Sequence, residues 1–229
     1  FLVPQILAEE RLFTPSNDTI TVRALYDSQT IAFLLEWDDR TPSIPGDPVA
    51  EKISDPDIAE DAVAIQLPAA IPSGSERPYF GMGDAFHPVN IWHWQSGTVD
   101  RPQSLRLFDG RGIEDIRERD AATAVAHGSG LYRDGTWRVV ITRPLATAAP
   151  EQDLQFVDGE YIPVAFAVWD GSNSERGSRH TMTTWYWLLL VPETGAVPWV
   201  AALAVTFLIG AGELWWARST AHRWRNDSA

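Results

Sequence analysis

Residues 19–37 read TITVRALYDSQTIAFLLEW. Thr19–Leu25 and Thr30–Trp37 alternate or run apolar, and Tyr26-Asp27-Ser28-Gln29 between them is a turn signal. The pair therefore reads as a β-hairpin. Outward from it the pattern recurs at Ala62–Leu67, Val89–Trp94, Ser104–Phe108, Thr136–Thr142, Tyr161–Trp169 and Thr181–Val191. Clusters of Gly, Pro, Asp and Ser separate these runs, as in Thr41–Val49 and Asp170–Ser178. Short strands at this spacing predict an all-β fold, a β-sandwich over residues 1–193. Arg111–Ala126 is the one stretch before the C-terminus expected to be helical. No internal repeat is visible.

A different pattern closes the chain. Residues 197–216 read VPWVAALAVTFLIGAGELWW. About 20 helical residues span ~30 Å, the thickness of a bilayer core. Trp199 stands at one end and Trp215 and Trp216 at the other, as interfacial belts do. Arg218, Arg223 and Arg225 follow, and no basic residue lies between Arg179 and the span. The positive-inside bias then puts a basic tail, residues 217–229, in the cytoplasm. It puts residues 1–193 on the periplasmic, extracytoplasmic side of a single-pass anchor in the cytoplasmic membrane. Glu213 lies within a turn of the end of the span, where snorkelling reaches the interface. A buried core helix is the competing reading, and length, belts and flanks all count against it.

Composition narrows the chemistry. The formal net charge is -13, so the surface repels phosphate backbones and no nucleic-acid partner is expected. The chain has no cysteine, which removes disulfides, iron–sulfur clusters, thiolate zinc and a C-x-x-C-H haem attachment. Lys52 is the sole lysine. Phe1 is not an initiator methionine, as expected where a targeting peptide has been removed or the chain begins further upstream. No G-x-S-x-G, H-E-x-x-H or phosphate-binding glycine loop occurs, so no catalytic constellation is expected.

Three constellations remain. Phe80-Gly81-Met82-Gly83-Asp84 leads into Pro88-Val89-Asn90-Ile91-Trp92-His93-Trp94. A thioether between Gly81 and Gly83, followed by a Trp-rich strand, suits the face of a flat cofactor. Pro163–Gly171, PVAFAVWDG, reads as a buried strand ending in a turn. Ser174–His180, SERGSRH, is a polar loop entering the last strand.

These stretches resemble the haem b-binding γ subunit of the ethylbenzene dehydrogenase, dimethylsulfide dehydrogenase and selenate reductase group, partners of molybdenum enzymes of the DMSO reductase superfamily. The matching segments are Leu35–Thr41, Glu60–Pro68, Met82–Trp94 and Val164–Trp185, in family order over residues 20–190. The resemblance implies a β-sandwich carrying haem b, with Met82 as one axial ligand and Gly81, Gly83, Asn90 and Trp92 around the cofactor. It also implies a lysine as the second ligand, in the loop before the last strand. His180 stands there instead, and Arg179 stays protonated and cannot ligate. The expected iron ligands are therefore Met82 and His180, a pairing that tends to raise the potential. Met182 shares a strand face with His180 and is the weaker candidate. His87 and His93 are expected to be structural or to touch a propionate, and His93 to point opposite to Trp92 and Trp94. His127 is expected to be exposed, and His222 lies beyond the span. Asp38 and Asp39 read as turn or strand-end residues rather than a calcium site.

The resemblance further implies electron transfer with a molybdenum catalytic subunit and an iron–sulfur subunit, possible nitrate or nitrite chemistry in that partner, and exchange with cytochrome c or a membrane carrier. Family γ subunits are soluble as a rule, so the anchor is a departure. Two other readings stay open: a carbohydrate- or ligand-binding sandwich on a membrane stalk, and a haem-free assembly subunit.

Overall fold

The computed structural model describes residues 1–54, 57–72, 76–121, 125–192 and 195–226, with side chains described as far as Arg218. The chain divides into two units, Phe1–Leu190 and Val191–Ala229.

The first unit is a two-layer β-sandwich. Its smaller sheet has the order β2-β3-β9-β8, from Thr21–Tyr26, Thr30–Asp38, Thr136–Pro144 and His127–Arg133. Its larger sheet runs β1-β11-β10-β4-β5-β6-β7. These strands are Val3–Pro4, Thr181–Met182, Tyr161–Trp169, Ala62–Pro68, Val89–Gln95, Ser104–Gly110 and Ile116–Glu118. A last strand, β12 (Tyr186–Leu189), also pairs with β10. A four-residue helix, α1 (Ala50–Ile53), sits in the loop before β4. The described pairings within each sheet are antiparallel.

Period-two alternation builds the core. Ile31, Phe33, Leu35 and Trp37 of β3 and Val139 and Ile141 of β9 face Val63, Ile65 and Leu67 of β4. Trp92 and Trp94 of β5 and Val164, Phe166 and Val168 of β10 complete the layer. Trp37 stacks on Trp137 at 6.2 Å, and Trp94 meets Trp137 edge-on at 5.1 Å. Burying rings of this size dominates such a core.

Three local expectations change. The helix expected over Arg111–Ala126 is instead a turn and the edge strand β7; residues 122–124 lie outside the described residues. Backbone pairing with β6 holds this edge, and cross-strand ion pairs accompany it: Arg106 Nε donates to Glu118 Oε1 at 2.7 Å, and Arg119 Nε to Asp109 at 2.9 Å. β8 (His127–Arg133) is a strand that is not among those expected from the sequence. The last strand is broken at Thr183–Trp185, where the Thr183 hydroxyl accepts from Phe166 N at 3.0 Å. The break turns Trp185 to the outer face of the larger sheet.

The second unit holds α2 (Val197–Asn226). Val197–Arg218 is long and apolar enough to cross a membrane. The helix continues past Trp216, so the basic tail is helical as far as Asn226.

Candidate functional site

The outer face of the larger sheet is also covered. The positions out of phase with the core are Ala62, Ala64 and Gln66 on β4, Val89, Ile91 and His93 on β5, and Ala165, Ala167 and Trp169 on β10. Most of them join Phe80, Met82, Phe108 and Trp185 in a second apolar cluster. The alanines of β4 and β10 leave space over the sheet. A cavity of about 580 Å³ is bounded by Met82, Ile91, His93, Phe108 and Trp169, with Arg11 at its edge. It shares Met82, Ile91 and Trp169 with a smaller void of about 30 Å³ that reaches Ala64, Ala167, His180 and Met182.

Met82 is held from both sides. Its backbone has φ 68, left-handed for a residue with a Cβ, and Gly83 follows at φ 79. Gly83 N–H donates to Tyr79 O at 2.8 Å, and a Cβ at Gly83 would press on His87 O and Gly110 O. Gly81 makes room for the Tyr79 ring. The two glycines thus shape the turn that presents Met82. Gln66 Nε2 donates to Phe80 O at 2.9 Å, and Trp185 Nε1 to Pro78 O at 2.8 Å. Gly112 N–H donates to Met82 O at 2.9 Å. Left-handed backbone costs ~1–2 kcal/mol outside glycine and marks functional positions when it persists.

His180 is 1% exposed. Its ring lies 4.6 Å from that of Trp169. Nδ1 is 3.1 Å from Gly177 O, which also accepts Trp169 Nε1 at 2.9 Å. That contact assigns the proton to Nδ1 and leaves Nε2 as the acceptor. Nε2 is buried and has no protein partner. Burial pushes the imidazole down to about 4, so the ring is neutral near pH 7 with its lone pair free.

His93 points opposite to Trp92 and Trp94 and lines the larger cavity. Its ring stands 4.8 Å from Trp169, and its Nδ1 is likewise buried without a partner. Burial, with Arg106 and His180 adding to it, lowers His93 to about 4. Met182 borders the smaller void. His87 is tied to Asp84 at 3.1 Å, and His127 is exposed on β8. Lys52 is exposed on α1.

Asn90 and Trp92 are not brought to this cavity, because their strand parity turns them to the opposite face of the sheet. Asn90 accepts from Leu154 N at 3.0 Å and donates to Gln152 O at 2.8 Å, pinning the loop before β10. Trp92 packs in the core with Phe33 at 6.0 Å and beneath the Arg143 guanidinium at 5.2 Å. Arg143, 1% exposed, was not singled out from sequence; burial brings it down to about 10. The tryptophans that a sugar-binding face would display are mostly internal: Trp37, Trp92, Trp94, Trp137, Trp169 and Trp185 are all buried.

The residues fit an apolar, iron-bearing macrocycle. Met82 borders both spaces, and His180, with its uncommitted buried nitrogen, borders the smaller one. The volume of the larger, about 580 Å³, lies within the roughly 300–1,000 Å³ of small-molecule and cofactor sites. The imidazole is oriented through its other nitrogen, as iron-ligating histidines are.

Comparison with known proteins places relatives beside this geometry. The profile of the ethylbenzene dehydrogenase family matches residues 6–115 and 109–181. A Haloferax mediterranei protein provisionally named respiratory nitrate reductase heme subunit ORF7 is 30% identical over 188 residues, covering 82% of this chain and 62% of that protein. Chlorate reductase subunit gamma of Ideonella dechloratans is 29% identical over 182 residues, covering 77% and 66%. Dimethylsulfide dehydrogenase subunit gamma of Rhodovulum sulfidophilum is 30% identical over 154 residues, covering 66% and 56%. The chain therefore spans between 56% and 66% of the length of these relatives.

Proposed function

The chain belongs to the ethylbenzene dehydrogenase family, and on that premise we propose that it is an electron-transfer subunit carrying one haem b between Met82 and His180. The observation that carries the proposal is the buried, partnerless Nε2 of His180, a residue that borders the same small apolar void as Met82. Bound haem supplies a one-electron iron couple. The chain's own residues supply the rest.

Gly177 O holds the His180 ring through Nδ1–H and leaves Nε2 free to ligate. The strained turn at Met82 holds the thioether against the same space. Ala64, Ala165, Ala167 and Ile91 give an apolar wall, and apolar surroundings favour a high potential. Arg11 at the rim offers a cation to the carboxylates of such a group. A thioether and a neutral imidazole leave the iron charge uncompensated by ligand anions, which also favours the reduced state.

The relatives' names, those of nitrate reductase, chlorate reductase and dimethylsulfide dehydrogenase subunits, support a place in a multisubunit oxidoreductase. The subunit relays electrons between a molybdenum catalytic subunit with its iron–sulfur subunit and a cytochrome c or membrane carrier. The domain over residues 1–193 stands on the extracytoplasmic face, and the span over 197–216 anchors the complex in the bilayer with residues 217–229 inside. The arginines after Trp216 support that orientation. A pyridine haemochromogen spectrum of the purified full chain tests the proposal. A b-type spectrum at one haem per chain supports it; protein that takes up no haem when supplied with it rejects it.

A further inference from the structure

A second constellation lies outside the cavity, where the two sheets meet at one end of the sandwich. Asp39 follows β3 of the smaller sheet. Asp61 precedes β4, and Asp170 follows β10, both of the larger sheet. All three are buried, and one carboxylate oxygen from each lies within 4.8 Å of the other two. Three points so spaced have a common centre within about 2.8 Å of each, close to the roughly 2.3–2.6 Å of calcium–oxygen bonds.

Two further observations point to a ligand. Asp39, 5% exposed, turns Oδ1 to the Thr41 N–H at 3.0 Å and leaves Oδ2 buried with no partner. Ser43 is fully buried; its N–H donates to Asp61 Oδ2 at 2.6 Å, while its hydroxyl beside that carboxylate has no partner. Asp61 is already fixed, by Gly171 N–H at 2.9 Å and Trp137 Nε1 at 2.9 Å, so the oxygens are set before any ion arrives. A polar cavity of about 690 Å³, bordered by Asn17, Thr41, Asp39 and Asp170, opens onto the cluster and gives an entry path and room for water ligands.

We propose that Asp39, Asp61 and Asp170 bind a calcium ion that clamps the two sheets together. The ligands are hard oxygens, which suits calcium over the softer transition metals. Three buried carboxylate oxygens within 4.8 Å of one another repel when ionised. A cation relieves that repulsion. The clamp is independent of the haem reading, although Asp170 heads the loop that ends at His180.

The test uses the full chain in detergent, stripped with a chelator. Calcium added back should raise the melting temperature by several degrees, and metal analysis of dialysed protein should find one calcium per chain. Asp39→Asn and Asp170→Asn should each abolish the response. Should those variants not fold, terbium provides a second measurement on the unaltered chain. Trp137 donates directly to Asp61 and should sensitise terbium emission, which calcium should quench by competition. A chelator-insensitive melt, no retained metal and no calcium-competed emission would overturn the proposal.

Discussion

His180 and Trp169 direct their N–H groups at the same carbonyl oxygen, that of Gly177, at 3.1 and 2.9 Å. Gly177 itself sits at φ 56 in the loop between β10 and β11. One acceptor therefore divides itself between the residue assigned to the iron and the tilted ring beside it. Trp169→Phe keeps the ring and removes the competing donor. The bond from His180 Nδ1–H should then strengthen, making Nε2 the better electron donor. A redox titration should show a lower midpoint potential with the six-coordinate spectrum retained. Altered haem occupancy with an unchanged potential would reduce Trp169 to a packing role.

Met82 carries a second prediction. At an ordinary position alanine is the more stable replacement, but at φ 68 glycine is favoured by ~1 kcal/mol. Met82→Gly should therefore melt above Met82→Ala when both are compared without haem, while both lose the thioether ligand. Thermal melts with and without haem check this. Alanine melting higher would mean the turn is not strained.

Acid should weaken the fold through the histidines of the site. Burial holds His93 and His180 at about 4 against an ordinary 6.5. The unfolded chain thus takes up protons first as pH falls. This contribution is complete above about 6.5 and is lost as pH falls toward 4. Asp39 and Glu175, raised to about 7 chiefly by burial, act with the opposite sign and contribute less as pH rises from about 4 to 7. His93→Gln isolates one imidazole. As pH is lowered from about 7 to about 4.5, its melting temperature should fall less steeply than that of the wild type.

The reach of the sequence depended on which signal each segment carried. Tyr161–Trp169 alternates large branched residues with alanine, and both its bounds and its two buried faces follow from that. β8 was missed because its inward positions are Gly128 and Gly130, emptied to admit Trp94. A Cβ at Gly130 would stand 2.2 Å from the Trp94 ring. Met82 and His180 could be nominated from local motifs and the family's order of segments. Asn90 and Trp92 were nominated with them, but strand parity sends them into the core. His93 points to the cavity by the same parity. The Asp39, Asp61 and Asp170 cluster joins residues far apart in the chain, and no local spacing marks it.

The division of the chain gives a fourth prediction. A chain ending at Leu190, exported with a secretion signal, should be soluble and folded, because the described core residues all precede that point. In the full chain, protease added to intact spheroplasts should digest the domain before Val197 and spare a C-terminal tag. Digestion of the tag with protection of the domain would reverse the orientation.

The most direct test is spectroscopic and uses the full chain, Met82→Ala and His180→Ala side by side. Magnetic circular dichroism of the oxidised wild type should show low-spin, six-coordinate haem with a thioether-to-iron charge-transfer band. Met82→Ala should lose that band and drop in potential while retaining haem. His180→Ala should lose more haem, since the imidazole is the stronger ligand, and His180→Lys should restore binding with a changed spectrum. If both alanine variants keep the wild-type spectrum, Met82 and His180 do not hold the iron, and His93 and Met182 are the residues that border the same space.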